Sequence, residues 1–145
     1  MELEMAAGET EAGFYPAAVK DGPDSLVLDT LAVFRAVVDD RLAGAPAAVI
    51  AARFHNSLVR LLADACGLIR ERTGLNLVAL SGGVMQNALL FTRLHRALAE
   101  RSFEVLTHTL TPPNDGSISL GQVAVAAARL EREGEKGKRA NGEKE

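Results

Sequence analysis

The chain has 145 residues and a mass of 15.3 kDa, enough for one modest domain. Hydrophobic residues make up 48% and charged residues 24%, which supplies an apolar core and excludes a disordered or collagen-like chain. The formal net charge of -3 gives no basic field of the kind a nucleic-acid binder carries, and the single cysteine, Cys66, excludes an intramolecular disulfide or a cysteine-clustered zinc site. No apolar run approaches the roughly 20 residues of a membrane helix. The acidic start MELEMAAGETEAG has neither the basic nor the apolar region of a secretory signal. The expectation is a soluble, cytoplasmic chain.

A short helix is expected over residues 2–7, followed by connecting loop marked by Gly8, Gly13, Pro16, Gly22 and Pro23. From Asp24 onward, Leu28, Leu31, Phe34, Val37, Val38 and Leu42 recur at helical spacing, and Gly44 supplies the left-handed stop. Pro46 suits the first turn of a second, long helix. Ile50, Phe54, Leu58, Leu61, Leu62, Ala65 and Ile69 form its apolar stripe, Arg53, Arg60, Arg70 and Arg72 lie away from it, and Gly74 ends it. Cys66, near the stripe, reads as a small packed side chain. The segment LNLVAL at residues 75–80 reads as a strand buried on both faces. A glycine turn follows, then a helix over residues 88–100 with Leu90, Leu94 and Leu98 in register, then a strand over residues 103–107. Strand, helix and strand make a βαβ unit with parallel pairing. A rigid loop containing Pro112 and Pro113 leads into a last helix over residues 117–132. Its face of Gly121, Ala124, Ala127 and Ala128 would let a neighbouring backbone approach closely. Residues 133–145, rich in Glu, Lys and Gly without apolar anchors, read as a disordered charged tail.

Two segments carry candidate chemistry. The first is SGGVMQN at residues 81–87, at the carboxyl end of a strand, where open α/β sheets place their ligands. Glycines there admit a ligand close to the backbone, and helix N-terminal N–H groups hold anionic oxygens. Asn87 is placed either to cap the helix or to hydrogen-bond a ribose or base. The segment matches neither the G-x-G-x-x-G fingerprint nor the P-loop, so a tight capped turn is an equal reading. The second is TPPNDGS at residues 111–117, where Asp115 either binds a metal ion or phosphoryl group or caps the last helix. His55, His95 and His108 form no helical metal pair. His95 reads as solvated, while His55 and His108 stay open between packing and a cleft. No Ser-His-Asp signature is present.

Three stretches, RFHNSL at residues 53–58, ALSGGVMQN at 79–87, and PPNDG at 112–116 with LGQ at 120–122, resemble in order and spacing the hydrogenase maturation carbamoyltransferase family, HypF. The resemblance runs from the start of the chain to about Leu130. It implies an α/β chain, the second lobe of an actin/sugar-kinase-like fold with a mixed or parallel sheet and flanking helices. Residues 1–132 would form the C-terminal lobe of the carbamoyl-transfer domain. It further implies ATP-dependent formation of carbamoyl-adenylate from carbamoyl phosphate. Transfer of the carbamoyl group to the C-terminal cysteine of the partner HypE follows, during nickel–iron hydrogenase maturation. On this resemblance Gly82, Gly83 and Asn87 hold the adenosine part of the nucleotide, and Asp115 is a ligand of a divalent metal, iron or zinc. His55 and Asn56 fall in a matching stretch without an assigned role.

Two departures stand out: Ser117 occupies a position usually glycine in the family, and Met85 one often aromatic. The family's metal-binding histidine pair and its upstream domains lie outside this sequence. One carboxylate does not hold a catalytic metal by itself, so the isolated chain is expected to be inactive. Its partners would be the other lobe, the upstream domains and HypE, with no membrane and no nucleic acid. Two other readings stand beside it: a threonylcarbamoyl transferase-like lobe acting on tRNA, and a non-catalytic partner-docking fragment. A half-cleft lobe also exposes apolar surface, so self-association is expected.

Overall fold

The structure, a computed structural model, describes residues 2–8, 10–22 and 25–142, with side chains through Arg132. In chain order the elements are α1 (Glu2–Ala6), β1 (Val19–Asp21), β2 (Leu26–Leu28), α2 (Thr30–Leu42), α3 (Ala47–Thr73), β3 (Leu77–Leu80), α4 (Ala88–Glu100), β4 (Glu104–Thr107) and α5 (Ile118–Gly142). Short 3-10 turns at Gly83–Gln86 and Asp115–Ser117 precede α4 and α5.

α3 is the axis. Pro46 caps its start, its ring pre-set at φ -60°. Gly74 ends it in the left-handed region at φ 73°, with its N–H donating to the Arg70 carbonyl at 2.8 Å. α4 packs along α3, and α2 and α1 lie against it at other points. β3 and β4 pair in parallel, Leu77 opposite Glu104 through Leu80 opposite Thr107, with α4 as the crossover. The four-residue spacing of Leu90, Leu94 and Leu98 puts one face of α4 inward. Leu94 and Leu98 join Ala63, Leu80 and Phe103 in the core, with Val59, Leu62 and Cys66 around them. Cys66 is thus the packed side chain expected, and burial pushes its thiol pKa up.

Several expectations change. Leu28 belongs to β2, which pairs antiparallel with β1 in a hairpin the helical spacing obscured. The helix begins at Thr30, after Asp29, whose carboxylate accepts the Ala32 N–H at 3.4 Å. Lys20 lies 2.6 Å from Asp29 and holds that carboxyl below the usual range. Pro23 and Asp24 lie outside the described residues. The strand expected over residues 75–80 starts at Leu77 and is covered on one side only: Val78 and Leu80 face inward, whereas Leu77 and Ala79 are exposed. Its apolar composition signals a second covering layer that the described residues do not supply. In α5 the small-residue face is also uncovered among the described residues, with Gly121, Ala124, Ala127 and Ala128 exposed. The α5 backbone is helical as far as Gly142, beyond the Arg132 at which the sequence reading ended it.

The N-terminal segment is not a free loop. It lies across α3, held by one helical turn of polar side chains. The Tyr15 N–H donates to Ser57 Oγ at 2.7 Å, and Asn56 Nδ2 donates to the carbonyls of Glu11 (3.1 Å) and Gly13 (2.8 Å). Tyr15 is buried, and its hydroxyl donates to Asp40 Oδ2 at 2.8 Å. Arg53 donates to the same oxygen at 3.0 Å. Burial and then the Asp40 carboxylate keep the phenol protonated, its pKa pushed up from 10.0 to about 12.

Two predictions follow from this packing. The folded chain binds the Tyr15 proton more tightly than the unfolded chain. The associated stability is therefore complete below pH 10 and declines as pH rises from 10 towards 12. Tyr15 is the only tyrosine, so phenolate absorbance reads it directly, with a midpoint about 12 in the folded chain. Asp40→Asn lowers that midpoint, and an unchanged value means the carboxylate does not act on the phenol. Separately, Leu77 and Leu106 on the open sheet face and Phe34 on α2 are exposed at 52%, 49% and 65%. Light scattering is expected to show mass rising with concentration, and a monodisperse monomer would contradict it.

Candidate functional site

β3 delivers the chain to the glycine turn. Gly82 sits at φ 97°, a conformation that side-chain-bearing residues rarely adopt, and the turn depends on it. Its N–H donates to the Pro113 carbonyl at 2.7 Å. A Cβ on Gly83 would stand 3.9 Å from the Cβ of Asn114. The glycine turn and the double-proline loop are therefore in direct contact, although 30 or so residues separate them in sequence.

Within the proline loop, Asn114 rather than Asp115 makes the cap. Asn114 Oδ1 accepts the Gly116 N–H at 3.0 Å and begins the 3-10 turn. Ser117 Oγ donates to the carbonyls of Pro112 (2.9 Å) and Asn114 (3.1 Å), so the serine at the departing position ties the loop closed. The reading of Asp115 as the cap of the last helix gives way to an Asx cap one residue earlier, which closes the 3-10 turn leading into that helix. Asp115 is exposed; its backbone carbonyl accepts the Ile118 N–H, and its carboxylate makes no hydrogen bond or ion pair among the described residues. No group of three His, Cys, Asp or Glu side chains able to hold a metal occurs among them. Carboxylate oxygen is a suitable donor for a divalent ion, but the described residues do not gather a set of three such side chains around Asp115.

Asn87 serves both ends of its amide. Its Oδ1 accepts the Leu90 N–H at 2.8 Å and caps α4, while Nδ2 lies 2.9 Å from His55 Nε2. His55 is 2% exposed, so it packs and does not line a cleft. The first N–H groups of α4 are occupied as well: Glu4 Oε1 accepts from Ala88 at 2.6 Å and Leu89 at 3.3 Å. The anion at the N-terminus of α4 is thus the chain's own carboxylate. The N–H groups of Gly83 and Val84 have no partner among the described residues and are the donors the turn offers outward.

His95 is exposed on α4. His108 is exposed at the end of β4, with Nε2 2.8 Å from Ser81 Oγ and Nδ1 3.2 Å from Thr111 Oγ1. Sequence reading missed this pair. The signal was the parallel register, because Ser81 and His108 directly follow the paired residues Leu80 and Thr107. Together with Leu106 and Thr107 they line a shallow pocket of about 190 Å³ at the strand ends. A larger groove of about 500 Å³ includes Asn56, Arg60, Arg93 and Arg101 but none of Gly82, Gly83, Asn87 or Asp115.

Residues 1–122 match the family model for the carbamoyltransferase Kae1-like domain, second subdomain. The chain belongs to this family. Among curated relatives, the carbamoyltransferase HypF of Synechocystis sp. is 33% identical over 124 residues, covering 85% of this chain and 15% of the relative. HypF2 of Cupriavidus necator is 44% identical over 79 residues, covering 54% of this chain and 10% of the relative. A crystal structure of full-length HypF in the phosphate- and nucleotide-bound form superimposes with TM-score 0.83 at 39% identity, over 90% of this chain and 17% of that one. The chain of HypF from T. kodakarensis gives 0.73 at 26% identity, again over 90% of this chain and 17% of that one. The chain thus spans under a fifth of these relatives' lengths. The α/β fold of this Kae1-like subdomain is the one the resemblance implied. No described helix is long and apolar enough to cross a membrane.

The double role of Asn87 separates two variants. Asn87→Ala removes the cap, which costs about 1 kcal/mol, and strips His55 Nε2 of its partner, which costs a further ~1–3 kcal/mol. Asn87→Ser keeps a capping oxygen and loses only the histidine contact. Urea unfolding is expected to rank wild type above Asn87→Ser above Asn87→Ala. Equal midpoints for the two variants would show that the cap contributes nothing.

Proposed function

We propose that this chain is the second lobe of the carbamoyl-transfer site in a HypF-type carbamoyltransferase, and that it holds adenylate at the Gly82–Gly83 turn. The observation that carries the reading is the 2.7 Å bond from the Gly82 N–H to the Pro113 carbonyl, which puts the glycine turn and the Asp115 loop side by side. The relative solved in a phosphate- and nucleotide-bound form supports it at 39% identity.

Elementary chemistry then assigns the parts. Gly82 and Gly83 carry no side chain, so a nucleotide can approach the backbone closely, and the N–H groups of Gly83 and Val84 are donors for its oxygens. Asn87 has one remaining Nδ2 hydrogen for a ribose or base acceptor. Asp115 contributes one carboxylate to an iron or zinc ion completed by the other lobe. Such a metal, when bound, draws charge from phosphate and carbamoyl oxygens as a Lewis acid. The substrate is carbamoyl-adenylate, made from ATP and carbamoyl phosphate. The acceptor is the C-terminal cysteine of HypE. In the transfer, the thiolate sulfur attacks the carbamoyl carbon, the C–S bond forms, the C–O bond to the phosphate breaks, and AMP leaves with the electron pair. The thiol proton passes to water.

The reading is tested by adding the chain to the remaining domains of a HypF and following the mass of HypE. A carbamoyl group on its C-terminal cysteine is expected with all parts present and not with this chain alone. Asp115→Asn, at an exposed position whose side chain has no partner among the described residues, is expected to leave folding intact and to lower transfer by about tenfold or more, at least the scale of a lost outer-shell partner of a metal ligand. Wild-type transfer rates in that variant would overturn the metal role. Transfer to tRNA in place of HypE would move the chain to the threonylcarbamoyl branch.

A further inference from the structure

The turn of α3 that carries RFHNS at residues 53–57 includes a buried histidine for which the proposed chemistry has no direct use. We propose that His55 is a positioning residue, which fixes the Asn87 amide so that its remaining N–H is presented at the glycine turn. This rests on the nucleotide reading above and adds to it a residue that does not touch the ligand.

The argument is one of donors and acceptors. His55 Nδ1 lies 2.8 Å from the Ala51 carbonyl, one helical turn back. A carbonyl only accepts, so Nδ1 carries the proton. In the neutral ring Nε2 is then a lone pair, and it faces Asn87 Nδ2 at 2.9 Å. An amide nitrogen only donates. The bond therefore selects one of the two orientations of the Asn87 amide: nitrogen towards His55, oxygen towards the Leu90 N–H at 2.8 Å. A flipped amide would set oxygen against a lone pair and nitrogen against an N–H. Both contacts would be lost at once.

Burial makes this choice firm. His55 is 2% exposed, so no bulk water can replace the lost partner. Neighbouring side chains of the same turn lock the helix beneath it, because Asn56 and Ser57 hold the N-terminal segment and Arg53 holds Asp40. The ring cannot follow Asn87 if Asn87 moves. Asn87 in turn closes the 3-10 turn that begins at Gly83, its N–H donating to the Val84 carbonyl at 3.1 Å. The position of that amide is thus set from α3, and not by the exposed turn itself.

Two substitutions separate the histidine nitrogens. His55→Gln places an amide oxygen near the Nε2 position and retains the acceptor for Asn87. His55→Asn keeps a donor for the Ala51 carbonyl and removes that acceptor. The full chain is labelled with nitrogen-15, and circular dichroism and urea unfolding establish that each variant is folded. The Asn87 side-chain NH₂ is expected to exchange slowly with water in wild type and His55→Gln, and about tenfold or more faster in His55→Asn, the scale of one lost hydrogen bond. ATP titration by calorimetry, with the remaining domains of a HypF added and their own binding subtracted, is expected to show binding within about threefold of wild type for His55→Gln and weakened by about tenfold for His55→Asn. Equal Asn87 exchange in all three proteins would overturn the positioning role whatever ATP does. Equal ATP affinity for His55→Asn and wild type would overturn it at the ligand. If Asn87 is released in His55→Asn but wild type binds no ATP, the nucleotide reading is what fails.

Discussion

The buried polar face of α3 is the constraint on which the molecule depends. A helix packed on more than one side needs apolar residues on more than one face, and Ile50, Leu61 and Ala63 provide them. Yet one turn of the same helix turns polar groups inward, and a buried polar group without a partner costs more than an ordinary contact returns. Every such group has a partner among the described residues. The partners come from far away in sequence: Glu11, Gly13 and Tyr15 from the N-terminal segment, Asp40 from α2 and Asn87 from the start of α4. Arg93 of α4 adds a further contact to Asn56. Satisfying one helical turn thus fixes the N-terminal segment, α2 and the glycine turn together. Apolar packing is indifferent to small displacements in a way that these directional bonds are not. They select a single arrangement from the many that would bury a similar area.

The same economy of partners explains the entrance to α4. An isolated helix N-terminus is an anion site, and the sequence invites that reading after SGGVMQN. Here Glu4 from α1 supplies the anion, and Asn87 takes the next N–H. The outward donors belong instead to the 3-10 turn, at Gly83 and Val84. On the proposed reading, the donors open to an anion lie a few residues toward the strand. That is where the loop carrying Asp115 arrives.

Elements with a strong local signal were legible from residues alone. Gly74, in the left-handed region after a long stripe, ended α3 where expected, and the Leu90, Leu94, Leu98 spacing defined α4. The β1–β2 hairpin was not legible, because three-residue strands carry too few positions for alternation to show and Leu28 fell in phase with the helix after it. The site divided in the same way. Glycines and a double proline announce unusual backbone, so both loops could be picked out. Their contact, and the pairing of His55 with Asn87 or Ser81 with His108, depend on strand register and helix phase. No local pattern encodes those. His55 in particular looks in sequence like any polar residue next to an apolar stripe, and only its 2% exposure distinguishes it.

The open surfaces follow from the same accounting. β3 and β4 alternate inward and outward, yet of the outward positions only Glu104 is polar, while Leu77, Ala79 and Leu106 are apolar. A strand evolved to face water on one side would carry polar residues there. α5 repeats the pattern, with Leu120, Val123 and Leu130 exposed. Asp115, a carboxylate without a partner among the described residues, lies in the 3-10 turn that leads into this helix. On the proposed reading, the donors of the glycine turn, the Asp115 carboxylate and the uncovered apolar faces are each half of an interaction. This chain covers 17% of the full-length HypF of the solved structure, and the proposed complement is the remainder of such a protein. The polar turn of α3 is different, since it is complete within the chain. It holds the Asn87 end of the candidate site in place within this chain, and on the proposed reading the entropy of ordering it is not charged to ligand binding.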